Sequence, residues 1–511
     1  MKQAIALFAV SALFGAPLTS AEETHSHPAP EKLGTVTFPT SCAPKVAHDF
    51  ERAVALLHSF AYTASEQAFR AVAVADPSCA MAHWGVAMSY WHQLWSPPGA
   101  GDLSKAQTEI DQANRLTAGS EREKQLIRAA TAYYRDAGRA PHPARAKAYA
   151  EEMQKAAQSN PKDTEVQVFY ALALVATAAP EDRSHANQKR AADILEPIYR
   201  DHPDHPGAAH YLIHAYDSSE LALRGLAAAR AYSKIAPSAP HALHMPSHIF
   251  TRLGLWEDSI ASNKAARAAA HADGDVGEEL HAMDYLVYAY LQRGRKADAE
   301  SVVATLSTLG GLHGSEFKVG YAATAMPVRL VMEHHQWEAA AALQPLAESV
   351  PHVAAIVYWA RAVANARAGR PNATNDDIAQ IEKCRQQLQT AGDSYWATQV
   401  DVLGKEASAW QLAANSRAEE AVKMLQQAAD EEDGLEKLPV TPGPIVPARE
   451  QLGDLFLTLN RPREALKEYR AALVAAPGRR GSLSGAAQAA DLVGDPQTAS
   501  RMRASLSNSF N

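Results

Sequence analysis

The chain has 511 residues, 47% apolar and 21% charged, a composition that supports a large buried core and excludes an intrinsically disordered chain. Its formal net charge of -8, without a Lys/Arg cluster or basic stripe, argues against nucleic acid or an anionic membrane surface as partners. The three cysteines, Cys42, Cys79 and Cys384, form no CxxC or CxxCH, which removes thioredoxin-like, cytochrome c-like and zinc-ribbon chemistry.

Met1-Lys2, the apolar run from Ala4 to Ala16 and Thr19-Ser20-Ala21 before Glu22-Glu23 have the pattern of a cleaved signal peptide over residues 1–21. That run is too short to cross a bilayer, and no later segment approaches about 18 consecutive apolar residues, so no membrane span is expected. The mature protein is expected to be soluble, and periplasmic or secreted. Residues 22–41, with His25, His27, Pro28 and Pro30, predict a flexible N-terminus. Cys42 and Cys79 flank the first helical hairpin, and the exported compartment permits a disulfide between them, which leaves Cys384 free.

From Val46 onward the alanine content, the leucine spacing and the lack of Val/Ile-rich alternating runs predict helix nearly throughout. "LGDLFLTLNRPREALKEYRAALVAAP" places Leu452, Gly453 and Phe456 on one helix, a turn at Asn460 to Pro462, then Ala465, Tyr469, Ala472 and a closing Pro477. This resembles the tetratricopeptide repeat (TPR), a 34-residue helix-turn-helix whose small residues let two helices approach while large ones fill the gap. "ASEQAFRAVAVADPSCAMAHWGVAMSYW" repeats the logic with Phe69, Pro77, Trp84, Gly85 and Tyr90. Weaker copies lie at 285–304, 328–343, 361–370 and 484–502.

The resemblance implies an all-α, right-handed superhelical solenoid of roughly ten to twelve hairpins with a concave inner groove. TPR-like repeats are expected over 42–117, degenerate hairpins over 118–204 with a capping-box start at Ser120 to Glu123, central repeats over 205–437, and the last repeats over 449–511. Between these lies "LPVTPGPIVPA", 438–448, whose four prolines forbid helix. It is either a linker or a rigid loop folded over the groove, and the expectation to test is that it lies against the concave side. The segment "HALHMPSHIFTRLGLWEDSIASNKAA" also resembles one found in exported bacterial TPR proteins, a likeness that carries no activity.

His210 and His214 stand four apart, which places both rings on one helix face with Asp217 a turn later. Leu212, Ile213 and Tyr216 cluster roughly 120° around the helix, at about 100° per residue, so packing does not account for the histidines. Adding the repeat length gives His244 and His248. His281, Asp284 and Tyr288 then keep the internal spacing of His241, His244 and His248. Equivalent helices of stacked repeats lie side by side, so these residues are expected to converge on the groove surface. Pro246 argues either for a kink or for a helix that starts near Met245, with His241 and His244 on a loop. Met326-Pro327 in a later repeat favours the late start.

His210-Tyr-Leu-Ile-His214 has zincin spacing, but Tyr211 stands where the catalytic Glu is needed, and no nucleophile elbow, P-loop or dinucleotide fingerprint occurs, so no enzyme activity is assigned. Two functional readings remain beside a purely structural one. In the first, the groove binds a protein, peptide or small ligand through His210, His214, Asp217, His241, His244, His248, His281 and Asp284. Trp84 and Trp91, which share a helix face with His92 near Trp95, are then candidates for the groove floor, against the alternative that they are core. In the second, His210, His214, His244 and His248 ligate a transition metal (Zn, Cu, Ni or Fe), with the carboxylates as further ligands or supports.

Overall fold

The computed structural model describes residues 31–94, 97–116, 119–315 and 317–508; the signal-peptide pattern, residues 22–30 and Trp95 lie outside the described residues. Among the described residues, twenty-five α-helices follow one another and there is no β-strand. Each helix packs chiefly against its neighbours in sequence, the connectivity of an all-α helical-repeat solenoid.

Local chemistry explains where the helices begin and how closely they pair. Ser120 and Glu123 form the expected capping box on Glu121–Tyr134, and the side chains of Asp163 and Asp275 accept from the third amide of theirs. Glycine sets the spacing inside hairpins. A Cβ on Gly85 would collide with the Phe69 ring, and one on Gly453 or Gly485 with the Tyr469 ring.

The segment 32–41 is not a loose tail. Leu33, Val36 and Phe38 are buried, the Phe38 ring lies 5.2 Å from Phe50 and 5.7 Å from Trp84, and Thr35 N–H donates to the Asp204 carbonyl at 3.0 Å. Apolar side chains at these positions stabilise the segment more by covering the first repeats than the chain loses in freedom. Cys42 and Cys79 are bonded, with Cα atoms 4.7 Å apart, and Cys384 is a buried free thiol.

The helix does start late, at Pro246 with Met245 as its N-cap residue, but what precedes it is not a loop. Pro240–His244 and Pro246–Arg252 follow one another, and Met245 between them keeps helical angles (φ -53°, ψ -36°), so His241 and His244 sit on a short helix rather than a loop. Pro327 lies inside the helix Phe317–Glu333. Pro246 opens the second of the two short helices, whereas Pro327 removes one backbone donor from a helix that continues through it.

The C-terminal repeats return to the middle of the chain. Trp256 Nε1–H donates to the Gly478 carbonyl at 3.2 Å, Arg480 N–H to Gln292 Oε1 at 2.9 Å, and buried Arg479 pairs with Glu333 at 2.7 Å and Glu450 at 2.8 Å.

The proline segment 438–448 crosses the interior as a strap. Arg329, fully buried, donates to the carbonyls of Pro444 at 2.8 Å and Gly443 at 2.9 Å and to Thr441 Oγ1 at 3.0 Å. Tyr285 hydroxyl lies 3.2 Å from the Pro439 carbonyl and 3.1 Å from that of Thr441. The prolines need no partner for an N–H, so these carbonyls carry the docking.

Candidate metal centre

Every residue of the helix Pro206–Ala215 is buried. Its histidines therefore lie within the protein and not on an open groove, because the first repeats cover one side and the strap the other. His210 Nδ1 donates to the carbonyl of His58 at 2.6 Å, and its ring stacks on Tyr232 at 5.1 Å. With the Nδ1 proton committed, His210 Nε2 carries a lone pair, and it faces His214 Nε2 at 3.1 Å.

The next repeat reproduces this arrangement with tighter constraints. His244 Nδ1 lies 2.6 Å from Asn263 Oδ1, and the Asn263 amide donates to the Ser259 carbonyl at 2.8 Å, which fixes Oδ1 as the acceptor. His248 Nδ1 lies 2.8 Å from Asp217 Oδ2. Both Nδ1 atoms are donors, so both Nε2 atoms are acceptors, and they are 2.9 Å apart. In these tautomers two ring lone pairs face each other, an arrangement that a positive charge between them would stabilise.

The structure sorts the histidines into two sets of three. His210, His214 and His241 offer ligand atoms all within 4.8 Å of one another, and so do His244, His248 and His281. The sets adjoin, with the His214 and His248 rings 5.9 Å apart. Between them is a cavity of about 10 Å³ walled by His214, His241, His248, His281, Lys318, Pro439 and Val440. His241 and His281 complete the sets that His210, His214, His244 and His248 begin.

Burial favours the neutral form of His210, His214, His244, His248 and His281. It is the largest cause holding His210, His214, His244 and His281 well below the ordinary histidine range, and it lowers His248 to about 4 against the opposing pull of Asp217. Burial alone would raise Asp217, but Lys437 at 3.1 Å and Arg252 at 2.8 Å hold its carboxyl well below the usual range. Glu278 is held low against the same burial penalty by Lys318 and His241, whose Nδ1 lies 3.2 Å away. A neutral imidazole whose other nitrogen is held by a carboxylate, amide or carbonyl oxygen is the usual arrangement of a metal-ligating histidine.

Two expected contributions are corrected. Asp284 does not reach the histidines: its Oδ1 accepts from Arg329 Nε at 2.9 Å, so it anchors the strap's own anchor. The guanidinium is the nearer and stronger partner. Trp84 and Trp91 are core rather than groove floor. Trp84 packs on Phe38, Phe69 and Phe169 because its helix, Ala80–Ser89, is buried on nearly every side, and Trp91, just past the end of that helix, stacks on Tyr133 at 3.7 Å.

Asn263, Glu278, Tyr285, Lys318, Lys437 and the His58 carbonyl surround the site, and the sequence reading missed them. Glu278 had a local signal, standing one helical turn before His281; the others come from distant segments. His58 is itself fixed by a closed network. Its Nε2 lies 2.8 Å from Glu165, its Nδ1 3.0 Å from Tyr211, and Glu165 also accepts from His205 at 3.0 Å, whose Nδ1 accepts from Ala208 N–H. Every partner there is satisfied within the network, so it orients the His58 carbonyl rather than offering ligands.

No protein-family model matches the chain, and no curated protein does. Among solved structures it is similar to the human IFIT1 dimer with m7Gppp-AAAA, at 11% identity over 84% of this chain and 90% of that one, with a TM-score of 0.38. It is similar to the human IFIT1 dimer with PPP-AAAA at 12% identity over the same shares, TM-score 0.34. The TPR domain of P58(IPK) matches at 14% identity over 89% of this chain and 99% of that one, TM-score 0.23. The helical-repeat fold stands on the chain's own helices and their packing.

Proposed function

We propose that the protein is an exported helical-repeat scaffold that binds a transition-metal ion, Zn, Cu, Ni or Fe, in its buried histidine chamber. One observation carries the proposal: His244 Nε2 and His248 Nε2 face each other at 2.9 Å with both Nδ1 protons committed elsewhere. A proton could bridge them only against the burial that keeps both rings neutral. A metal ion answers the same geometry and recruits His281, the third member of the set. The fully closed surroundings favour retention of the ion over turnover of a bulky substrate.

The test is a calorimetric titration of metal-free, untagged protein with Zn²⁺, beside the variant His244→Ala/His248→Ala. Wild type binds the ion at this set and gains thermal stability with it, and the variant loses that equivalent and its share of the gain while keeping its helical circular dichroism. Equal binding by both proteins contradicts the proposal.

A second reading, an organic ligand, has its own support. On its other side the strap borders a cavity of about 450 Å³, walled in part by Arg252, Tyr288, Tyr321, Tyr395, Trp396 and Lys437. That volume and its mixed aromatic and charged wall suit a small polar molecule. Ligand capture unaffected by chelators but lost in Trp396→Ala separates this reading from the first.

A further inference from the structure

We infer that the chamber is a two-ion centre, in which His210, His214 and His241 hold a second transition-metal ion beside the one at His244, His248 and His281. This rests on the metal reading above and extends it to the neighbouring repeat.

The sequence repeat itself points to two equivalent sites. Each set consists of an H-x-x-x-H pair and a third histidine from the repeat that follows: His210 and His214 with His241, then His244 and His248 with His281. The pairs are related by 34 residues and the third members by 40, the difference being an insertion between repeats. Structural histidines need no such correlated triplets.

The geometry repeats as well. In each set the ligand atoms lie within 4.8 Å of one another. In each, the first histidine has Nδ1 committed to an oxygen at 2.6 Å, the His58 carbonyl in one and Asn263 Oδ1 in the other. In each, its Nε2 then meets that of the histidine four residues on, at 3.1 Å and 2.9 Å. What binds between one pair suits the other.

Three imidazoles leave an ion with at least one open position. The cavity of about 10 Å³ has two walls from each set, His214 and His241 facing His248 and His281, and it is of the size one water-sized ligand fills. A single small ligand there joins both ions. Lys318 on the same wall favours an anionic one such as hydroxide, while Asp217 and Glu278, each bonded to a histidine of a different set, supply fixed negative charge.

The experiment uses the full chain, untagged and stripped of metal, titrated with Co²⁺ and followed by visible absorption, with elemental analysis after gel filtration. Two equivalents are expected for wild type and one each for His210→Gln/His214→Gln and His244→Gln/His281→Gln. Electron paramagnetic resonance of Cu²⁺-loaded wild type supplies a readout that needs no variant: adjoining ions show spin coupling, and ions at separate places show isolated signals. Saturation of wild type at one equivalent, isolated signals, or two equivalents retained by His210→Gln/His214→Gln would overturn the two-ion inference while leaving a single-ion site standing. No uptake by wild type would overturn both.

Discussion

His248 Nδ1 lies 2.8 Å from Asp217 Oδ2, and that carboxylate also meets Lys437, the residue that leads into the strap, at 3.1 Å. One aspartate thus links the proposed ligand to the segment that closes the chamber. Its position one turn beyond His214 makes it part of the same helix end, so ligand orientation and chamber closure share a residue.

Replacing Asp217 by Asn keeps the shape but removes the charge that polarises His248. Metal affinity is expected to fall about 10- to 100-fold, the usual effect of losing such a partner, with the ion count unchanged. Titration calorimetry measures it, and an unaltered Kd would show that Asp217 serves only the strap.

The strap is held chiefly by one side chain. Arg329→Met removes the donors to Thr441, Gly443 and Pro444 and leaves Asp284 without its cation. Wild type is expected to resist limited proteolysis within 438–448, and the variant to be cut there. Rapid cutting of wild type would mark the stretch as a mobile linker.

The Cys42–Cys79 bond closes a loop with a sequence separation of 37. By the chain-entropy relation its loss costs about 4 kcal/mol, so Cys42→Ser/Cys79→Ser should melt well below wild type. Thiol counting on denatured, unreduced protein should find one free cysteine. Three would contradict the bond.

Burial and the neighbouring Asp433 push Glu432 up to about 7, although the Ala448 N–H bond pulls the other way. The folded state therefore holds a proton more tightly than the unfolded chain, whose Glu titrates near its ordinary value of about 4.3. This contribution is fully present below that value and is lost as pH rises to about 7. Glu432→Gln should remove the loss, making the variant about 3–4 kcal/mol more stable relative to wild type at pH 8 than at pH 4. Denaturant unfolding at the two pH values decides it, and parallel curves would contradict the assignment.

Much of this was legible in the sequence because it depends on spacing. Gly453 with Tyr469 and Asn460 to Pro462 gave the hairpin, and the 34-residue recurrence of His210 and His214 at His244 and His248 gave the chamber. Helix periodicity could not show what covers a face. His210 is buried because His58 and Phe60 come back over it from about 150 positions away. For the same reason Trp84 and Trp91 read equally well as floor or core. Asp284 was misplaced because its register is right but Arg329, 45 residues later, captures it. Leu33, Val36 and Phe38 were overlooked in a segment whose prolines and histidines suggested a tail.

The central claim is that the ion sits among His244, His248 and His281. Its most direct test is anomalous scattering from crystals of untagged protein equilibrated with Zn²⁺ and washed, recorded on both sides of the zinc edge. The account predicts an anomalous peak within bonding distance, about 2.0–2.1 Å, of ring nitrogens of all three histidines. Zinc found only at surface carboxylates and exposed histidines, with the facing Nε2 atoms of His244 and His248 bridged by nothing heavier than a proton, would contradict it.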